Sequence, residues 1–223
     1  MQFVYHEEAK NQNLTIDGEL HKYIFKVKRY DSTQSIYFRN LNDNNIYEYK
    51  VQNIDRRKTN LELISYEEKI IVPKKELHIG WCVIDPKSVE KQIASLNEIG
   101  VTKITFIYCE YSQKQYKPNF EKLEKLLINS SQQSGRSNII ELDSMNSFDE
   151  FLANYPDTYM FNFSQNHISN KKDDIKIIVL GCEGGFSIDE VNKMDSSKVV
   201  GVDSNIIQRS ETAICSLSSL ILL

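Results

Sequence analysis

Two stretches hold residue types that could take part in chemistry. Residues 177–187 read IIVLGCEGGFS, and residues 199–213 read VVGVDSNIIQRSETA. Each begins as a short apolar strand, breaks into a loop and enters a helix. Gly181, Gly184 and Gly185 therefore fall where backbone can approach a ligand closely. A phosphate loop is excluded, because no G-x-x-x-x-G-K-[ST] occurs and no lysine follows the glycines. A dinucleotide fingerprint fits poorly: the spacing is G-x-x-G-G, late in the chain. Glu183, inside the loop, disfavours a phosphate and suits a cationic or neutral ligand. On the glycines alone, a tight strand-to-helix turn explains the pattern equally well.

No other constellation competes. His6, His21, His78 and His167 are scattered, and none has metal-pair spacing. Cys82, Cys109, Cys182 and Cys215 form no C-x-x-C pair, which argues against a zinc site or a disulfide framework and for a reducing compartment. No metal is expected. Residues 1–10 lack the apolar core of a signal peptide, and no apolar run reaches the length of a membrane span. The expectation is a cytoplasmic protein with no membrane contact. The 223 residues are 40% hydrophobic and 26% charged, ordinary for a globular chain, with a formal charge of -4. No global basic field recruits nucleic acid, so any RNA contact must come from local patches.

The elements that would position the loops divide at residue 72. Residues 1–72 read as short strands (35–38, 46–51, 61–64) separated by polar turns, a pattern that predicts a small β-barrel. This region has equal numbers of basic and acidic residues. Two runs are nevertheless locally positive. One is Lys22, Lys26, Lys28 and Arg29 in a helical stretch over 17–29, and the other is Arg56-Arg57-Lys58 in a turn. Solvated surface explains them, and so does phosphate contact.

After a linker at 73–75 the pattern alternates strand and helix. Strands are expected at 77–84, 103–108, 158–163, 175–180 and 198–202. Asp85 precedes Pro86 at a helix start, and Gly100 ends that helix. A second helix carries Phe120, Leu123 and Leu127 and closes at Ser134-Gly135. Ser147/Glu150 and Ser187/Glu190 have capping-box spacing. The last helix starts near Glu211, and its apolar face (Ala213, Ile214, Leu217, Leu220, Ile221) needs cover from the chain or from a partner. Residues 73–223 are thus expected to be α/β with a mostly parallel sheet. In such a sheet ligands lie beyond the carboxyl ends of the strands, where both glycine-bearing loops fall.

These motifs resemble a known family. GCEGGFSIDE is similar to GPEGG(F/L)S-x-x-E, IIQRSETA to ILR-x-ETA, and residues 133–136 to QSGR. The pairs at 78–80 and 98–101, and Val27-Lys28-Arg29, also have counterparts. All belong to the RsmE family of SPOUT methyltransferases, which methylates N3 of a uridine in 16S ribosomal RNA of the small subunit. The resemblance covers nearly the whole chain. It implies an α/β SPOUT-type trefoil-knotted methyltransferase domain over 73–223, preceded by a PUA-like β-barrel over 1–72 that binds RNA. It implies a homodimer and S-adenosylmethionine as cofactor. Departures from the family are Cys182 for proline, Gln208 for leucine, Asp203-Ser204 for Leu-Gly, Asp85–Ser88 for basic residues, and Tyr111 for arginine.

Roles then follow from the resemblance. Leu180, Gly181, Gly184, Gly185, Val202, Ser204, Ile207 and Thr212 would hold the cofactor. Arg209 and Arg136 would face negative charge developing on the base, since an arginine stabilises an anion but cannot easily act as a base. Glu183 and Glu211 are the candidate proton acceptors. Lys22, Lys26, Lys28, Arg29, Arg56, Arg57 and Arg136 would contact RNA. Two other readings stay open on sequence: a non-catalytic RNA-binding assembly factor, and a SPOUT enzyme acting on another RNA or on ribose 2'-OH.

Overall fold

A computed structural model of the chain describes residues 2–31 and 33–223. The fold separates into two compact units. One comprises residues up to Val72 with Ser131–Asn138, the other Pro73–Ser130 with Ile139–Leu223.

The first unit is a five-stranded sheet. Its strands are β1 (Val4–Tyr5), β2 (Asn13–Asp17), β3 (Ser35–Arg39), β4 (Asn45–Ile54) and β5 (Lys58–Glu68), in the order β1-β3-β4-β5-β2. Only β1 and β3 pair in parallel. Alternation decides the buried face: Leu14 and Ile16 of β2 point inward beside Ile36, Phe38, Tyr49 and Leu61. The helical stretch expected over 17–29 is a short α-helix, α1 (Gly18–His21), continued by a π-helical segment over Lys22–Val27. The helix α3 (Phe120–Ser134), introduced below, ends in this unit. Its turn at Gly135 takes φ +86°, and Ser137 then bonds both the N–H and the C=O of Ile71.

The second unit is built on six parallel strands. In chain order they are β6 (His78–Cys82), β7 (Lys103–Ile107), β8 (Glu141–Met145), β9 (Tyr159–Phe161), β10 (Ile177–Leu180) and β11 (Val199–Val200). Their spatial order is β11-β9-β10-β6-β7-β8, so all six carboxyl ends share one edge. Helices α2 (Pro86–Ile99), α3, α4 (Phe148–Asn154), α5 (Ile188–Asn192) and α6 (Ser210–Leu222) connect and cover them. β6 is buried at every residue, as a central parallel strand must be. The last helix finds its cover within the chain: Ala213, Ile214, Leu217 and Ile221 lie in this unit's core. Leu220, expected on the same face, is exposed.

Three local expectations change. Asp85 caps α2 through its backbone carbonyl, which accepts from Ser88 and Val89, and its side chain makes no cap. Ser147 accepts from Glu150 N, but the Glu150 carboxylate turns to Asn146 N, so this box is half formed. Cys82 and Cys109 are joined by a disulfide, contrary to the expectation from their spacing. The parallel register explains the meeting: Cys82 lies opposite Ile107, two residues before Cys109. Among the described residues, no helix is long and apolar enough to cross a membrane, and no group of three or more His, Cys, Asp or Glu side chains could hold a metal ion.

His78 is buried at the start of β6, 2.8 Å from Thr105 Oγ1 and edge-on to Phe151 and Tyr155. Burial, assisted by the nearby Lys103 charge, pushes its pKa down to about 4. Unfolded, it titrates near 6.5. Between those values the unfolded chain binds the extra proton. Stability from neutral His78 is therefore complete above pH 6.5 and lost as pH falls toward 4, by about 3 kcal/mol at most. Urea midpoints at pH 7, 5.5 and 4.5 are expected to fall steeply for the wild type and less for His78→Gln. Equal slopes would remove this assignment.

Candidate functional site

The two loops singled out by sequence meet at the carboxyl edge of the second unit's sheet. They wall a cavity at the ends of β9, β10 and β11 with about 120 Å3 of room for water-sized molecules. Of the expected cofactor residues, Leu180, Gly181, Gly185, Val202, Ser204 and Ile207 line it. Cys182 and Gln208, two departures from the family pattern, line it too. Gly184 instead packs against Tyr111, and Thr212 is exposed on α6, with Ser210 and Ala213 at the wall in its place. The helical period explains that change: the side of α6 turned to the sheet at its start carries Ser210 and Ala213, so Thr212 points elsewhere.

The local sequence dictates the loop shapes. Gly185 adopts φ +71°, open to glycine at no steric cost. A Cβ on Gly181 would meet the Gly185 backbone at 3.0 Å, so the loop can fold on itself only with glycine there. α5 then starts with a complete capping box: Ser187 Oγ accepts from Glu190 N, and Glu190 Oε2 accepts from Ser187 N. The other oxygen of Glu190 accepts from Glu110 N at 2.9 Å, which ties the loop after β7 to the glycine loop. Ser210 joins three more segments. Its hydroxyl accepts from Trp81 Nε1 at 2.9 Å and donates to Gly181 O at 2.7 Å, all buried.

The lining holds no charged side chain. Its polar groups are the backbone and the side chains of Asn162, Ser204, Gln208 and Ser210. Phe163, Ile206 and Ile207, 81%, 78% and 77% exposed, form an apolar rim. Charged candidates stand around this wall. Arg209 is exposed at the N-cap of α6, between the lining residues Gln208 and Ser210. Glu211 is half-buried in the first turn of α6, and Glu183 is exposed at the tip of the glycine loop. Burial raises the Cys182 thiol above its usual pKa, so it lines the wall as a neutral group.

Arg136 is not among the residues that line this cavity. Residues 133–136 group with the first unit, where Arg136 is 5% exposed and its Nε donates to Asn138 Oδ1 at 2.6 Å. Desolvation lowers its pKa to about 10, so it stays protonated at neutral pH. The expected RNA contacts of the first unit divide. Lys22, Lys26, Arg56 and Arg57 share a pocket of about 650 Å3 with Asp17 and His21. Lys28 lies over the Tyr23 ring, and exposed Arg29 adopts φ +58°.

The RNA methyltransferase domain family model matches residues 72–222. The ribosomal RNA small subunit methyltransferase E of Helicobacter pylori strain J99 is 31% identical over 223 residues, 99% of each chain. The chain belongs to the ribosomal RNA small subunit methyltransferase E family. The member from Aquifex aeolicus is 23% identical over 98% of both chains. A crystal structure of the Neisseria gonorrhoeae methyltransferase E, bound to S-adenosyl methionine, superposes with a TM-score of 0.75 at 16% identity, over 98% of this chain and 95% of that one. That likeness carries the fold.

Among these methyltransferase E residues, sequence reasoning missed Ser210 and Glu190 as positioning groups. The signal for Glu190 was its capping-box spacing. Ser210 had none beyond its place at the helix start. Ser210→Ala leaves the Trp81 N–H and one Gly181 lone pair unmatched in a dry interior. The expected cost is about 1–3 kcal/mol. Guanidinium unfolding followed by the emission of Trp81, the single tryptophan, measures it. An unchanged midpoint would show that the hydroxyl is dispensable.

Proposed function

We propose that this chain transfers a methyl group from S-adenosylmethionine to N3 of a uridine in 16S ribosomal RNA of the small subunit. The observation that carries the reading is the cavity between the two loops, walled by backbone and apolar groups with no charged side chain. A phosphate would find no cation there. A nucleoside cofactor with a cationic sulfonium meets no like charge, and the Phe161, Phe163, Ile206 and Ile207 side chains suit a purine ring. Residues of the loops at 180–185 and 202–208 would hold it, with Gly184 and Thr212 as outlying members of the set. When bound, S-adenosylmethionine supplies a methyl on a sulfonium, an electrophile.

The protein's own residues then have three tasks. The first is to hold the uracil with N3 in line with the methyl, and such positioning can supply about 7 kcal/mol. The second is to take the N3 proton, for which Glu183 and Glu211 are the candidates. The third is to stabilise charge spreading to O2 and O4. Arg209 stands at the N-terminus of a 13-residue helix, so its guanidinium and the helix dipole act in the same sense. Arg136, buried beside Asn138, fits a supporting role in the turn better than contact with base or phosphate.

The second unit is a SPOUT-type trefoil-knotted domain and the first a PUA-like β-barrel. Lys22, Lys26, Arg56 and Arg57 contact RNA phosphates together, with Lys28 and Arg29 beside them in sequence. The enzyme works as a homodimer that covers the exposed Phe163, Ile206 and Ile207. It works in the cytoplasm, on the strength of its ribosomal substrate rather than of cysteine usage.

Reverse transcription of small-subunit RNA treated with protein and S-adenosylmethionine tests the reaction. N3 methylation blocks pairing, so a new strong stop at one uridine is expected. A methyl found on ribose would overturn the reading. Arg209→Ala is expected to lower kcat about 100-fold or more while leaving cofactor affinity, measured by calorimetry, near wild type. A normal rate would end the chemical role of Arg209.

A further inference from the structure

A second pocket opens on the same carboxyl edge, at the ends of β7 and β8. Its walls include Tyr108, Glu110, Lys114, Lys117, Asn146 and Ser147, and its volume is about 590 Å3. Lys114 and Lys117 are exposed, and neither forms an ion pair with any described residue. With Glu110 counted, the walls carry one net positive charge. That matches a single phosphodiester, the repeating anion of an RNA strand.

Tyr111, next in sequence to Glu110 of this pocket, lies against Gly184 of the glycine loop. A Cβ built on Gly184 would meet Tyr111 Cβ at 3.1 Å and its ring carbons at 3.4 and 3.5 Å, so Tyr111 lies flush on the glycine loop. Its side chain is nonetheless 52% exposed. The loop that presents it is fixed. Glu110 N donates to Glu190, Tyr108 OH donates to Tyr116 O at 2.9 Å, and Cys109 N donates to Ser112 Oγ at 3.2 Å. A half-exposed ring held against a cofactor-binding loop, one residue from a cationic pocket, has the parts that a single-stranded nucleotide needs. Bases stack on aromatic rings or on guanidinium planes, and phosphates meet lysines. Tyrosine here, where the related motif has arginine, exchanges one flat stacking surface for another.

We infer that Tyr111 is the stacking platform for the target base and that Lys114 and Lys117 hold an adjacent phosphodiester of the same strand. This rests on the reading of the first cavity as the cofactor site of an RNA methyltransferase. Tyr111→Leu keeps an apolar side chain on Gly184 and removes the π-face. It is expected to lower kcat/KM for RNA on the order of 10- to 100-fold with cofactor affinity unchanged, and Tyr111→Phe is expected to restore the rate. The emission of Tyr111→Trp, read above the buried Trp81, is expected to be quenched by a uridine-containing fragment of small-subunit RNA. Lys114→Gln with Lys117→Gln is expected to raise KM and to lower the salt slope of RNA binding by about 1.

A Leu variant as active as wild type overturns the stacking role. So does a Leu variant that loses cofactor binding, because Tyr111 would then only brace the loop. An unchanged salt slope overturns the phosphate pocket. Quenching of the Trp variant by RNA, with no methyl transfer by the wild type, leaves the inference standing and removes the proposed reaction instead.

Discussion

The hydroxyl of Ser210 is the contact on which the site's geometry depends. It joins the central strand β6 through Trp81, the glycine loop through Gly181 O, and the start of α6 through its own backbone. The three segments are remote in sequence, and no water competes for these bonds. A buried bond of this kind is electrostatically stronger than its exposed equivalent, and its loss leaves polar groups stranded. Trp81 is in turn fixed by stacking on Phe106 within a strand that has no exposed residue. Rigidity therefore runs outward, from the sheet core to the loop and then to the helix start that carries Arg209 and Glu211.

Glu190 provides a second lock of another kind. It is a buried carboxylate whose two oxygens accept from two backbone amides, Ser187 N and Glu110 N. Removing its solvation is costly, so the carboxylate holds both amides firmly in exchange. The unit's surface ion pairs, such as Lys193–Asp149 and Lys125–Glu121, lie in solvent, where water and salt screen them. The second unit's architecture thus owes more to two buried polar nodes than to its many surface charges. Both nodes are at the carboxyl edge of the sheet, where the cavity is.

How much of this was legible in sequence varies with what each residue answers to. Elements whose period reports burial were readable: α2 and α3 near their observed ends, β10, and the Ser187/Glu190 box. The family motifs were readable because glycine and charged types recur at fixed spacing. β8 left no trace, because Glu141–Met145 is a half-exposed edge strand whose ELDSM has no apolar run. It is an edge that Lys103 of β7 reaches with an ion pair to Glu141 at 2.5 Å. The Cys82–Cys109 disulfide was hidden because proximity comes from strand register, not from spacing in the chain. That Arg136 is buried in the turn after α3 was hidden for the same reason. A helix such as α3 carries its last turn wherever the helix ends, and the motif alone does not say where that is.

The chain is acidic overall, yet seven of its 27 lysines and arginines stand at candidate sites: four in the pocket of the first unit, two in the pocket at the ends of β7 and β8, and one at the start of α6. The wall of the cavity between the two loops is uncharged. In the proposed reaction this division has a physical consequence. Salt-dependent affinity for RNA comes from phosphate contacts made outside the cavity. Selectivity among bases, and the methyl transfer itself, depend on apolar and hydrogen-bonding groups that salt hardly screens. On that proposal, affinity would depend on how many of these phosphate contacts one RNA can make at once, since each added contact turns a separate encounter into an intramolecular one.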